Sequence, residues 1–272
     1  MTPFGGDLAR DVIAVRGPDA LTFLQGQLSQ DVAALPAGGS ADTFLLQPAG
    51  KVEAFLRVTK LADDDLLLDV DGGFGDAVIA RLERFKLRTK ATLERLPWRA
   101  VQVRGEGAHG VAVPHGALAL PADWPGLPGV DLLGPDVSLP AGVRPASAEE
   151  LESVRIAAGT PRMGAELDER TIPAEAGVLD RAVSFTKGCY TGQELVARID
   201  SRGGNVPRRL RILEVAGPPP APGTDVTVDG AVVGHVTSAA LRGDGSVTLA
   251  YLGRAVAVPA AVDVGGVPST AR

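Results

Sequence analysis

Lys187-Gly188-Cys189-Tyr190-Thr191-Gly192-Gln193-Glu194 contains the one cysteine of the chain. A lone cysteine forms no intrachain disulfide and cannot supply the several thiolates of a structural zinc or iron–sulfur site. It is either a small packed core residue or a thiol used on its own account. Its neighbours suit the second reading. Lys187 can stabilise a thiolate by direct charge attraction, and Gly188 lets a partner approach the backbone closely. Thr191 and Glu194 have capping-box spacing ahead of Leu195-Val196-Ala197, which predicts a helix from Thr191. That start would set Cys189 beside the positive end of a helix, where an anion is favoured.

Downstream of this octet the pattern turns to β. Leu210 to Val215, Val226 to Val228, Val232 to Thr237, Val247 to Leu252 and Val256 to Val258 read as short strands. Asp229-Gly230 and Arg242-Gly243-Asp244-Gly245 are hairpin turns between them. Such a run predicts a small barrel over residues 205–272, with the boundary at Gly203 to Pro207. Upstream, Asp11 to Arg16 reads as a strand, and Gly17-Pro18-Asp19-Ala20 opens a helix with Asp19 suited to its dipole. Thr43 to Leu46 and Lys51 to Leu61 form the arms of a hairpin around Pro48-Ala49-Gly50. A strand at Leu66 to Val70 and a helix from Gly75 to Leu87 follow. This order is α+β rather than doubly wound. No long element is assigned from His109 to Pro145. Ser147 and Glu150 form a capping box for a helix to Ala158, which Gly159 and Pro161 stop.

The chain has 272 residues, 45% of them hydrophobic, which is globular and long enough for two or more packed units. Its net charge of −6 argues against a general nucleic-acid coat, and direct nucleic-acid binding is not expected. Met1 to Arg10 lacks the basic start and apolar core of a signal peptide, and no apolar run is long enough for a bilayer. With one cysteine, these features predict a cytoplasmic protein without a membrane partner.

Other candidate chemistry is sparse. His109, His115 and His235 lie in unrelated segments without a cysteine-hydrolase or metal-ligand context, and no metal site is expected. Gly72-Gly73-Phe74-Gly75 lacks the lysine of a P-loop and reads as a turn. Arg198, Arg202, Arg208, Arg209 and Arg211 crowd the stretch after the cysteine, opposed only by Asp200. They suit either an anionic ligand or bridges between domains.

Lys187 to Glu194, extended through Val196-Ala197-Arg198, resembles the signature of the YgfZ-type folate-binding proteins, relatives of the glycine-cleavage T-protein, an aminomethyltransferase. The likeness spans essentially the whole chain. It includes Gly17 to Ala20 with Phe23 to Leu28, then Gly50-Lys51-Val52, Arg155-Ile156, Ile172-Pro173, Glu175-Ala176 and Leu179-Asp180. The resemblance implies a three-lobed, aminomethyltransferase-like α+β architecture. Residues 1–204 would form two interleaved α+β lobes that bind folate, and residues 205–272 the C-terminal barrel. It also implies a tetrahydrofolate cofactor and a role in assembling or maintaining iron–sulfur clusters, including those of tRNA-modifying enzymes.

On this reading Cys189 and Lys187 carry the chemistry, while Arg155, Glu175, Tyr190, Gln193, Glu194 and Arg198 shape a folate site. The partners would be folate and iron–sulfur enzymes or cluster-assembly proteins. Two positions depart from the T-protein pattern. Ala54 and Phe55 stand where the transferase carries its catalytic aspartate, and Ala157 stands where a glutamate usually contacts the pterin. Aminomethyl transfer of the usual kind is therefore not expected. The alternatives are a one-carbon transferase with its acid moved to Glu53, and a non-catalytic scaffold.

Overall fold

Val12-Ile13-Ala14-Val15 is an unbroken apolar run, and a strand of that kind is buried on both faces. In the computed structural model, which describes residues 2–272, it does lie between two layers. Met1, the first residue of the segment read above for a targeting signal, lies outside the described residues.

The chain begins β1 (Phe4–Leu8), β2 (Arg10–Arg16), α1 (Ala20–Gln27), β3 (Ser40–Leu46), β4 (Val52–Ala62) and β5 (Asp65–Asp71). It continues with α2 (Gly75–Phe85), β6 (Thr92–Leu96), β7 (Arg99–Arg104), β8 (Leu118–Pro121), β9 (Gly129–Gly134) and β10 (Arg144–Pro145). Helices α3 (Ala148–Ala157), α4 (Leu179–Ala182) and α5 (Gln193–Ser201) precede β11 (Arg208–Val215) and β12 (Asp225–Val228). The last strands are β13 (Ala231–Arg242), β14 (Gly245–Gly253), β15 (Ala260–Val264) and β16 (Val267–Ala271).

The first sheet has the order β3-β4-β5-β2-β6, and the second β10-β1-β7-β9-β8. Ile13 and Val15 of β2 join the main core with Leu24, Phe44, Leu68 and Leu82. Val12 and Ala14, one residue out of phase, join Leu67 of the same sheet and Ala100 and Leu133 of the facing sheet. The second sheet also closes its own core around Val101, Val103, Val130 and Leu132. Strands β11 to β16 form a closed barrel in the order β11-β14-β13-β12-β15-β16, filled by Leu213, Val226, Val236, Ala250 and Val262. Its outer face at Leu210, Leu249 and Tyr251 packs on Ile156 of α3.

The α+β class and the barrel are as expected, and several details differ. The barrel closes with β15 and β16 rather than a strand at Val256 to Val258, because Val256 and Val258 pack on the core from a connecting loop. The Gly/Pro-rich middle supplies β8, β9 and β10, strands too short to show a period. Ser147 accepts from the Glu150 N–H at 3.2 Å, but the Glu150 carboxylate turns to Arg144, so only half the capping box forms. The Asp19 carboxylate accepts from the Lys90 N–H at 2.7 Å instead of capping α1.

Candidate functional site

The cysteine loop is held tightly by its backbone. Gly192 has φ +83°, and a Cβ there would lie 2.5 Å from the Gln47 carbonyl oxygen. Only glycine fits this close approach of the loop to the β3–β4 hairpin. Helix α5 consequently starts at Gln193, two residues later than capping-box spacing predicts. Thr191 does not cap it; its N–H donates to the Gly26 carbonyl at 3.1 Å, and the Gln193 side chain accepts from the Tyr190 N–H at 3.0 Å. The α5 start thus differs from expectation because tertiary contacts to α1 and the hairpin override the local cap.

Lys187 also differs from expectation. Its ammonium donates to the carbonyls of Gln25, Leu28 and Gln30 at 2.6, 2.8 and 2.8 Å. These lie at the C-terminal end of α1, where free carbonyls and the helix dipole favour a cation. All three donors are thereby used on the backbone rather than on the thiol. Burial lowers the Lys187 pKa to about 8, with Asp31 opposing the shift. Tyr190 lies under the ammonium with its ring centre 5.2 Å away, and burial raises its hydroxyl to about 12. Cys189 itself is exposed, as are Phe185, Gly188, Glu194 and Arg198.

A cavity of about 860 Å³ opens elsewhere, between the two sheets and α3. Phe55, Phe74 and Trp124 give it flat apolar surface. Its floor is a buried ion network. Arg57 on β4 clasps Asp69 of β5 with two hydrogen bonds of 2.9 and 3.0 Å, and reaches Asp131 of β9 at 3.0 Å. Arg10 bonds Asp69 and Asp71, each at 2.8 Å, and Arg104 of β7 pairs with Asp131 at 2.9 Å. Burial by itself would raise the Asp69 pKa, but Arg57 and Arg10 outweigh it and hold the carboxyl below its ordinary range. Burial raises Asp42 on the rim, against the pull of Arg181. Such a network adds less stability than its geometry suggests, yet losing one member strands a buried charge.

Of the residues expected to bind a cofactor, only Arg155 lines this cavity. It is also a structural hub, bonded to Glu152 at 2.8 Å, to Glu166 at 3.0 Å and to Ser238 of the barrel at 3.0 Å. Glu175 lies outside the lining, buried, and accepts from Arg208 at 3.1 Å. Tyr190, Gln193, Glu194 and Arg198 belong to the cysteine loop and α5, and are likewise outside the lining. So are Cys189 and Lys187. The expected grouping of Arg155, Glu175 and the cysteine loop around one concavity is therefore not what the fold builds. Ala157 packs against the cluster of Ile156, Leu210 and Tyr251 on the barrel side rather than lining the cavity. Glu53 also lies outside the lining, where its charge acts on Arg81 of α2. The arginine cluster divides: Arg208 bridges to Glu175 and Arg209 bonds the Gly204 carbonyl, while Arg198 and Arg202 are exposed.

Comparison with known proteins decides the family. The chain is 30% identical over 276 residues to the mouse mitochondrial iron-sulfur cluster assembly factor IBA57, covering 89% of this chain and 75% of that protein. The chain belongs to the YgfZ-type family, relatives of the aminomethyltransferase T-protein. It is 29% identical to the tRNA-modifying protein YgfZ of Sodalis glossinidius, covering 79% of this chain and 72% of the relative. It spans 51% of a longer fungal member, the IBA57 homolog of Phaeosphaeria nodorum. The crystal structure of glycine cleavage system aminomethyltransferase T from Bartonella henselae superposes with a TM-score of 0.83 at 20% identity, covering 99% of this chain and 84% of that one. That likeness establishes the fold. No family model matches the sequence.

Within this YgfZ-type chain, the cavity residues that the motifs missed are Arg57, Gln102, Arg104, Trp124 and Asp131. One signal was present. Val101-Gln102-Val103-Arg104 alternates apolar and polar residues, so Gln102 and Arg104 share a face of their strand. Among the described residues no group of histidine, cysteine, aspartate or glutamate could hold a metal ion, and no helix is long and apolar enough to cross a membrane.

Proposed function

We propose that this YgfZ-type protein binds a folate in the cavity between its sheets and serves iron–sulfur cluster assembly or maintenance, with Cys189 as its functional thiol. One observation carries the reading: the chain's single thiol is exposed on a loop whose flanking residues are fixed to α1 and the β3–β4 hairpin. A packed cysteine would need no such scaffold. The relatives named as a cluster assembly factor and as a tRNA-modifying protein support the cluster side of the proposal.

The cavity residues fit a folate. Its volume of about 860 Å³ lies within the usual small-molecule range. Phe55, Phe74 and Trp124 offer faces to a planar ring. Gln102 Oε1, Arg104 Nε and Thr160 Oγ1 are buried without a hydrogen-bond partner, and all three side chains line the cavity. When bound, a reduced folate supplies one-carbon chemistry; the residues of the chain supply orientation and exclude water. Phe55 lines the cavity beside Ala54, and neither can move a proton. Glu53 lies outside the lining and does not replace a missing acid there. This favours an accessory role over aminomethyl transfer, because positioned acid–base groups typically contribute ~10²–10⁴-fold.

On this proposal residues 1–204 form the folate-binding region and residues 205–272 a barrel that buttresses it through Arg155 and Glu166. The partners are cluster-containing enzymes or cluster-assembly proteins, and the location is the cytoplasm. The test is a strain carrying Cys189→Ala. Activity of cluster-containing enzymes should fall while the protein remains folded and abundant. Undiminished cluster-enzyme activity would remove the thiol from the proposal. Glycine-cleavage turnover with this chain in place of the T-protein would promote the transferase reading.

A further inference from the structure

Arg208, Arg209 and Arg211 lie on β11, where successive side chains point to opposite faces. Arg208 turns to Glu175, 3.1 Å away. Arg209 and Arg211 share the other face with Leu213 and Val215, which fill the barrel. They continue that inward row to one mouth of the barrel, beyond Leu213, where the pairing of β11 with β16 ends. Side chains two apart on a strand stand about 7 Å from each other, so the two half-buried guanidiniums are neighbours.

Neither has an acid to answer it. Arg209 bonds the Gly204 carbonyl at 2.7 Å, and among the described residues no aspartate or glutamate pairs with Arg209 or Arg211. Burial and the charge of Arg209 both push the Arg211 pKa down, with no carboxylate opposing them. Asp200, the one acid between Arg198 and Arg211, is exposed on α5 and pairs with neither. Two exposed arginines without an acidic partner flank the mouth. Arg202 closes α5 two residues before Gly204, and the Arg254 N–H donates to the Pro207 carbonyl at 3.0 Å. Partly burying two like charges side by side is unfavourable, and a chain of net charge −6 has acids enough to avoid it. The arrangement points to a ligand that brings the missing negative charge.

The ligand's chemistry follows from the charge balance. One carboxylate would leave the pair a net cation. A phosphate monoester carries about −1.5 to −2 at pH 7 and three acceptor oxygens, which suits two guanidinium forks. Opposite Arg209 and Arg211 on β14 stand Leu252 and Ala250, so no aromatic ring is offered there for a nucleic-acid base.

We propose that the barrel mouth at Arg209 and Arg211, flanked by Arg202 and Arg254, binds the phosphate group of a small phosphorylated ligand. None of the four arginines lines the cavity between the sheets, and the proposal depends on neither the folate nor the thiol reading.

The test titrates the full chain with inorganic phosphate and with glycerol 3-phosphate at fixed ionic strength, by calorimetry and by the unfolding midpoint. Both compounds should bind and raise the midpoint. Arg211→Gln should weaken binding by about tenfold or more, the usual worth of a charged hydrogen bond, and Arg211→Lys by less. Without phosphate, Arg211→Gln should unfold no earlier than wild type, because the charge it removes has only a like-charged neighbour. Arg242→Gln, at the β13–β14 turn on the far end of the barrel, should bind phosphate as the wild type does. Phosphate that binds nowhere, or binds Arg209→Gln and Arg211→Gln as tightly as wild type, would overturn the site. An Arg211→Gln protein destabilised without phosphate would show that the charge is already answered within the fold, and would overturn it too. Hexaglutamate bound more tightly than either phosphate compound would overturn the choice of ligand in favour of an acidic protein segment.

Discussion

The cysteine loop and the cavity between the sheets handle polar groups in opposite ways. In the loop, Lys187 and the backbone N–H groups of Tyr190 and Thr191 are turned inward to fixed partners while the thiol of Cys189 is left outside. In the cavity, charges from β2, β4, β5, β7 and β9 are drawn inward and neutralised by one another. The first arrangement costs little to alter at its tip, because the tip holds up nothing. In the second no charge can be removed without stranding its partners. The cysteine motif and the charged cavity wall thus have different mutational signatures, and the two regions can be told apart by measurement.

The sharpest contrast comes from Arg57. Arg57→Ala leaves the buried Asp69 and Asp131 with fewer cations, and should cost about 3–5 kcal/mol in urea unfolding. A loss below about 1 kcal/mol would mean that water enters the network and that the contrast drawn here is false. Gly192→Ala comes next. It forces a Cβ to within 2.5 Å of a carbonyl oxygen at φ +83°, and should cost about 1–3 kcal/mol by the same measurement. That would show the base of the cysteine loop to be as demanding as the cavity, with only its tip free.

The pH response should localise to the network. The Asp69 pKa is lower in the folded protein than its ordinary value of 3.8. Its contribution to stability is therefore complete above that value and is lost as pH falls through the folded pKa. Asp69→Asn should be markedly less stable than wild type at pH 7, and the gap should narrow in acid below about pH 4. A gap that stays constant with pH would assign the loss to packing instead of charge. The smallest effect belongs to Cys189→Ser. It should shift stability by less than about 0.5 kcal/mol, and iodoacetamide should label Cys189 in the folded wild type without denaturant. Labelling that requires denaturant would place the thiol in the interior.

Much of the fold could be read directly from the chain. The β3–β4 hairpin, β5, α2 and most barrel strands follow from period and turn chemistry, since each is long or is bounded by Gly, Pro or Asp-Gly signals. The second sheet could not be read in the same way. Leu118–Pro121 and Arg144–Pro145 have four and two residues, and such strands exist only because β9 and β1 offer them edges. The site divides along the same line. Cys189 stands out because it is unique, and the close fit at Gly192 agrees with a glycine in the motif. Arg57 and Asp131 are 74 residues apart and announce nothing.

The sequence by itself determined the α+β class, the barrel, the lone thiol and the family, because periodicity, turn residues and a compact motif are local properties of a chain. The tertiary structure alone decided where the charges went. It sent Lys187 to the end of α1, Glu175 to Arg208, and Arg155 into the joint between cavity and barrel. It also gathered Gln102, Arg104 and Trp124 onto one wall. The reason is physical: a buried charge or amide takes whichever partner folding brings within about 3 Å, and that choice is made between strands far apart in the chain.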